Sequence, residues 1–280
     1  MLLKDITIII TTFNSYDKIK NCLKSINNKC KVINIENSSN QNYKRKIEGE
    51  FKNVKCILTN DNLGYGAGNN IGLKKVTTKY AFILNPDTII SKVTFNLINR
   101  IIKAHPNFAL IGSSVSGKEN FKNLKKKKLI IQEVENVKGH AMILNLKQFR
   151  NIGFFDENFF FFFEEIDLCL RLKKNNKKIF FCPNLNVKHL GGKSHKNKFN
   201  FKMELSRNWH WMWSTYYFYK KHYGIKKAII QIFPKLINSN LKFIFYLVIL
   251  DKNKMLVHWH RISGIVNAIL NKRAWFRPKI

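Results

Sequence analysis

Acidic residues are scarce in this chain. Seventeen Asp and Glu face 50 Lys and Arg over 280 residues, a formal net charge of +33. That excess excludes an ordinary neutral domain and calls for an anionic partner: nucleic acid, a membrane surface or a phosphorylated substrate. The shortage is uneven, because Glu204 and Asp251 are the only acids from Leu168 to Ile280. Cysteine is also sparse. The five thiols are odd in number and form no C-x-x-C pair, so buried, reduced cysteines of a cytosolic protein are expected. Long apolar runs are missing too. The longest, Phe243–Leu250, falls far short of the roughly 20 residues a membrane span requires. The start does not read as a secretory leader, since Lys4 and Asp5 follow Leu2-Leu3 at once. What is plentiful is core material: 45% of residues are hydrophobic, enough to exclude a disordered tail or a fibre.

From residue 5 to about 113, β-rich runs alternate with polar segments of helical period. Strands are expected at Ile6–Ile10, Val32–Glu36, Val54–Leu58 and Tyr80–Leu84, with a helix around Tyr16–Ile26. This alternation predicts an α/β fold with a mostly parallel central sheet flanked by helices. Ligands of such sheets bind beyond the carboxyl ends of the strands. Ser116–Asn136, with its Lys125–Lys128 run, reads as a long exposed loop. After it come a strand over Val137–Asn145, a helix from about Phe163, and two short strands at Lys178–Cys182 and Asn186–His189. Past Phe199 the chain turns aromatic and basic, with helical patterns punctuated by Pro234 and Gly264. The expected division is a catalytic domain over 1–200 and a basic helical region over 201–280. No internal repeat is visible.

Four constellations carry chemistry. Thr11-Thr12-Phe13-Asn14 and Glu36-Asn37-Ser38-Ser39 end neighbouring strands with groups able to hydrogen-bond a base and ribose, although each alone also suits an ordinary turn or cap. Asn62–Gly72 holds four glycines at a helix start, where backbone can approach an anionic ligand. Its spacing matches neither G-x-G-x-x-G nor a P-loop. Leu84-Asn85-Pro86-Asp87-Thr88 puts a carboxylate at a strand end, suited to Mg²⁺ or Mn²⁺ beside phosphate. Finally Asp156, Glu157, Glu164, Glu165 and Asp167 gather five of the 17 acids around Phe159–Phe163. A carboxylate beside aromatic surface is a candidate general base, and acids also favour a helix N-terminus. His189, before Gly191-Gly192, is a candidate metal ligand.

In this order the motifs resemble the inverting family 2 glycosyltransferases of GT-A fold, and more closely their rhamnosyltransferase-like branch. The likeness covers about residues 5–195 and rests on Thr-Thr-Phe-Asn, Asn-Leu-Gly-Tyr-Gly-Ala-Gly-Asn-Asn, Leu-Asn-Pro-Asp-Thr, Gly-Phe-Phe-Asp-Glu and Glu-Glu-Ile-Asp-Leu-Cys-Leu-Arg-Leu. It implies transfer of a sugar from a nucleoside-diphosphate sugar to a glycan or lipid-linked acceptor, in cell-surface polysaccharide synthesis. It implies nucleotide-sugar contacts at Thr11, Phe13, Asn14, Glu36, Gly64, Asn70 and Asn85, a Mg²⁺ or Mn²⁺ ion on Asp87 and His189, and a catalytic base at Glu165. Glu164 is the fallback base, and with Asp167 is expected near the acceptor or in support of the site. Glu36 and Glu165 each stand where the family usually has Asp, one methylene shorter.

The C-terminal region offers a second theme. Trp209, Trp211, Trp213 and the Tyr216–Tyr219 run sit among Lys and Arg, a pattern that fits anchoring on an anionic membrane, on the inner face of the cell membrane. The same aromatics could instead, or as well, pack the helices onto the catalytic domain. Nucleic-acid binding is the rival from another class, but no recognised binding module is present and the acidic cluster suits a polyanion groove badly. The expectation is therefore no nucleic-acid partner.

Overall fold

The computed structural model describes residues 2–116, 130–189 and 200–277; the Lys125–Lys128 run and Gly191-Gly192 lie outside them. These residues form two compact bodies, one of 2–155 with 165–189, the other of 156–164 with 200–277. The division near residue 200 is thus joined by an exchange: the phenylalanine run belongs with the C-terminal helices.

In the first body a helical turn α1 (Leu2–Asp5) leads into β1 (Ile6–Thr12), α2 (Tyr16–Ser25), β2 (Lys31–Glu36), α3 (Gln41–Glu50), β3 (Val54–Leu58), α4 (Tyr65–Leu73) and β4 (Tyr80–Leu84). Then come β5 (Thr88–Ile89), α5 (Lys92–Ala104), β6 (Phe108–Ser116), β7 (Gln132–Glu133), β8 (Ala141–Asn145), α6 (Glu164–Lys174) and β9 (Lys178–His189). The sheet order is β3-β2-β1-β4-β8-β6-β9-β5, with β7 on β9. Strands β1 to β4 pair in parallel. Beyond them the sheet is mixed, since β8 runs antiparallel to both β4 and β6.

Every residue of β1 is buried because helices cover both faces, which is why it reads as an unbroken isoleucine run. Ile8 and Ile10 enter one core layer and Ile9 the opposite one, as the two-residue period of a strand requires. Local chemistry sets the helix starts: Asn40 accepts from the Tyr43 N–H at 2.9 Å, and Ser91 and Thr94 form a capping box before α5.

Two expectations are corrected here. The pair of short strands at 178–189 is one strand, β9, whose register against β6 jumps between Ser113–Cys182 and Ser114–Asn186. Pro183, which cannot donate to a ladder, sits in that bulge. Part of the expected loop before Asn136 also pairs, as β7.

The second body is built on α7 (Asn200–Val248) and α8 (Lys252–Ile269). Neither Pro234 nor Gly264 breaks a helix. The break in α7 falls at Gly224, with φ 83° and ψ 170°, a conformation that glycine adopts without steric cost. Gly264 instead permits close crossing: a Cβ there would lie 2.3 Å from the Trp209 carbonyl oxygen. Trp209, Trp213, Tyr216 and Phe218 are buried, and the first three pack with Phe160 and Ile265. The aromatic run expected to meet a membrane is therefore largely the core of this body.

Candidate active site

Strand direction decides where the chemistry gathers. β1, β2 and β4 end together, with Thr12 opposite Glu36 and Ile10 opposite Leu84. β8 enters at that same edge, Ala141 opposite Leu84, which brings Gly139-His140 there. β9 finishes there too, where His189 pairs with Thr88 across β5. Five separate stretches of sequence thus meet at one rim.

Glu36 is fully buried, and its Oε1 accepts from the Asn14 backbone N–H at 2.9 Å and from Ser38 Oγ at 2.7 Å. Its Oε2 is buried with no hydrogen-bond partner. A lone acceptor of that kind costs stability unless a ligand donor completes it. Asn14 holds a left-handed backbone, φ 48°, which turns the chain so that its N–H meets the carboxylate. Below, Asn34 and Tyr43 both bond Thr12 Oγ1, at 3.0 and 3.1 Å. Nothing local signals that buried brace, since Asn34 sits inside a strand.

Several residues expected at the nucleotide also hold the scaffold. Thr11 donates to Asn69 Oδ1 at 3.0 Å. A Cβ on Gly68 would meet Thr11 Cγ2 at 2.5 Å, and one on Gly72 would meet Ile9 Cγ2 at 2.7 Å. Two of the four loop glycines therefore seat α4 on β1 rather than cradle a ligand. Asn70 grips Phe155 with both ends of its amide, donating to the carbonyl at 2.9 Å and accepting from the N–H at 3.0 Å. Gly64 caps α4, and Phe13 is half-buried just beyond β1.

Asn85 donates its N–H to the His140 carbonyl at 2.9 Å, and its own carbonyl accepts from Thr88 Oγ1 at 2.7 Å. This tight turn presents Asp87, which is buried. Lys18, on α2, gives no sign of a functional role in the sequence. Its Nζ is buried without a hydrogen-bond partner; burial pushes its pKa down, and the negative charge of Asp87 partly offsets that. Among the described residues no cluster of three His, Cys, Asp or Glu side chains could hold a metal. The donor set at this rim fits an ion that takes most of its ligands from a diphosphate and water, as Mg²⁺ commonly does.

α6 opens with Glu164 and Glu165 and closes with Arg171, Lys173 and Lys174, the order the helix dipole favours. Glu165 Oε2 is buried with no hydrogen-bond partner. Burial raises its pKa, against the opposing pull of the Glu165 and Ile166 backbone N–H groups. Its Cβ lies 3.7 Å from where a Cβ on Gly139 would stand, with the Tyr65 hydroxyl 3.6 Å from the same point. Gly139 and Tyr65 thus border the base of the Glu165 side chain.

The remaining acids separate. Asp167 is buried and bonded to Arg171 Nε at 2.8 Å, while the same guanidinium holds the Ile152 carbonyl at 2.9 Å. Asp156 lies in the second body with Lys221 at 2.8 Å and the Tyr217 hydroxyl at 3.0 Å.

Polar groups at the carboxyl ends of parallel strands, a buried carboxylate at a tight turn and a buried carboxylate oxygen at the start of α6 are the arrangement expected of a GT-A glycosyltransferase. Residues 7–171 match Glycosyl transferase family 2, and the chain belongs to that family. The low-salt glycan biosynthesis hexosyltransferase Agl10 of Haloferax volcanii is 25% identical over 211 residues, covering 67% of this chain and 68% of that protein. In fold, the mannosyltransferase PcManGT of Pyrobaculum calidifontis, solved with GDP-Man and Mn²⁺, aligns with a TM-score of 0.58 at 11% identity, over 96% of this chain and 88% of its own. GalNAc-T7, solved with UDP, GalNAc and Mn²⁺, gives 0.58 at 13% identity over 74% of this chain, which spans only 51% of that one.

Proposed function

We propose that this glycosyltransferase inverts configuration, moving a hexose from a nucleoside-diphosphate sugar to a hydroxyl of a glycan or lipid-linked glycan acceptor. The observation that carries this is Glu165: a carboxylate oxygen buried without a partner and made more basic by burial, on a side chain that borders Gly139. Glu165 takes the acceptor's hydroxyl proton as the acceptor oxygen bonds to the anomeric carbon. The bond from that carbon to the diphosphate breaks on the opposite face, and its electron pair leaves with the diphosphate. One displacement inverts the centre and requires no covalent enzyme intermediate.

The free oxygen of Glu36 suits a donor N–H or hydroxyl of the nucleoside. Asp87, with His189 on the adjoining strand as the second ligand the resemblance implies, would hold a divalent cation, which supplies charge stabilisation to a departing diphosphate. Lys18 adds positive charge to the same place. Because Agl10 is a hexosyltransferase, hexose donors come first, and thymidine-diphosphate rhamnose follows from the motifs.

The test is release of nucleoside diphosphate from a panel of such donors, with and without Mn²⁺, and proton NMR of the product's anomeric centre. Retained configuration would refute the single displacement. No turnover of any donor by the parent, with Glu165→Gln binding donor identically, would refute the role of Glu165.

A further inference from the structure

We propose that the tip of the α7–α8 hairpin is a docking surface for an anionic lipid bilayer. Beyond Gly224, Ile230, Phe233, Ile237, Leu241 and Ile244 recur every three or four residues, and all are exposed. That spacing draws one stripe along a helix. Ala228, Ile232 and Ser239 are buried, on the opposite side by the same period, so α7 is apolar outside as well as inside. The stripe runs into the hairpin tip, where Val248 is 74% and Leu250 86% exposed. Trp259 stands next to it on α8, ring to ring with Phe243 at 5.8 Å, and is itself half exposed.

A contiguous apolar surface of this extent marks an interaction site. Its charge selects the occupant. Lys242, Lys252 and Lys254 are exposed around the tip, and residues 225–270 contain one acid, Asp251. That carboxylate already caps α8 and pairs with Lys254 at 3.3 Å. A second copy of the chain would bring two lysine-rimmed tips together against their own repulsion. An anionic bilayer accepts both parts, apolar side chains at the acyl boundary and lysines at the headgroups. Among the described residues no helix is long and apolar enough to cross a bilayer, so the geometry is one of shallow insertion. The inference is independent of the donor, acceptor and base proposed above.

The experiment uses the full chain and vesicles of phosphatidylcholine with or without phosphatidylglycerol. Co-sedimentation should favour the anionic vesicles and weaken in high salt. The double variant Val248→Asp/Leu250→Asp should bind them at least about tenfold more weakly, as expected when two apolar contacts are replaced by charge. Both positions are exposed, so its thermal melt should match the parent's. Lys242→Glu/Lys252→Glu should lose the preference for anionic vesicles. Brominated acyl chains should quench the parent's tryptophan fluorescence, and Trp259→Phe should remove much of that quenching. The proposal is overturned by equal binding of the Asp variant, by quenching unchanged in Trp259→Phe, or by a parent that ignores vesicles. A parent dimer that the Asp variant dissociates without lipid would also overturn it, assigning the face to self-association.

Discussion

The Asn14 backbone N–H and the Glu36 carboxylate meet at 2.9 Å across the ends of β1 and β2, which leaves Glu36 Oε2 buried and unclaimed. Glu36→Gln can keep an oxygen toward Asn14, but it turns the other acceptor into an NH₂ donor. Nucleotide-sugar affinity should fall roughly tenfold, the scale of one hydrogen bond to a charged group, with kcat nearly unchanged. Isothermal titration with the donor and a KM-against-kcat comparison check this. A fall in kcat alone would place Glu36 elsewhere in the mechanism.

Glu165→Gln should lower transfer by about 10²–10⁴-fold, the usual contribution of a general base, while donor binding survives. Burial raises the pKa of Glu165, and a base works only when deprotonated. Turnover should therefore rise with pH through a value above the ordinary carboxylate range of roughly 4, and that acid limb should vanish in Glu165→Gln. If Glu164→Gln is dead while Glu165→Gln turns over normally, the base is Glu164.

Asp87→Ala should abolish the metal-dependent part of nucleoside-diphosphate binding, so that chelator no longer changes affinity. Lys18→Met should weaken binding with or without metal, because it removes a positive charge rather than a ligand. Titration in Mn²⁺ and in chelator separates the two. Chelator-sensitive binding in Asp87→Ala would remove that carboxylate from the metal.

Asn70→Ala strips Phe155 of the partners for both of its backbone groups. Two buried groups left unsatisfied should cost about 2–4 kcal/mol, or roughly 5–15 °C in Tm for a chain of this size. Scanning calorimetry without ligand gives the answer. An unchanged Tm with weakened donor binding would return Asn70 to the nucleotide site.

Much of the first body was legible because strand burial on two faces and turn chemistry are local signals: Val54–Leu58 and Tyr80–Leu84 stand where their β-branched and aromatic residues put them. The antiparallel half of the sheet was not, since nothing local in Ala141–Asn145 states which way it runs against Tyr80–Leu84. Motif order singled out Asp87 and Glu165, and the fold buries Asp87 and an oxygen of Glu165. Nothing singles out Lys18, because a lysine in a polar helix looks solvated until its amine is found buried near Asp87. The tryptophans of α7 misled for a related reason: an aromatic-basic texture is the same whether the rings face lipid or, as with Trp209 and Ile265, another helix.

The lodging of residues 156–164 with the C-terminal helices has a consequence for synthesis. Phe159 and Phe160 leave the ribosome with none of their final neighbours on α7 and α8 yet made. At about 5–20 residues per second, the 116 residues from 165 to 280 add a delay of roughly 6–23 s. Throughout it the nascent chain carries five phenylalanines in a row, immediately ahead of Glu164-Glu165. A holdase that binds short aromatic segments would find its target there.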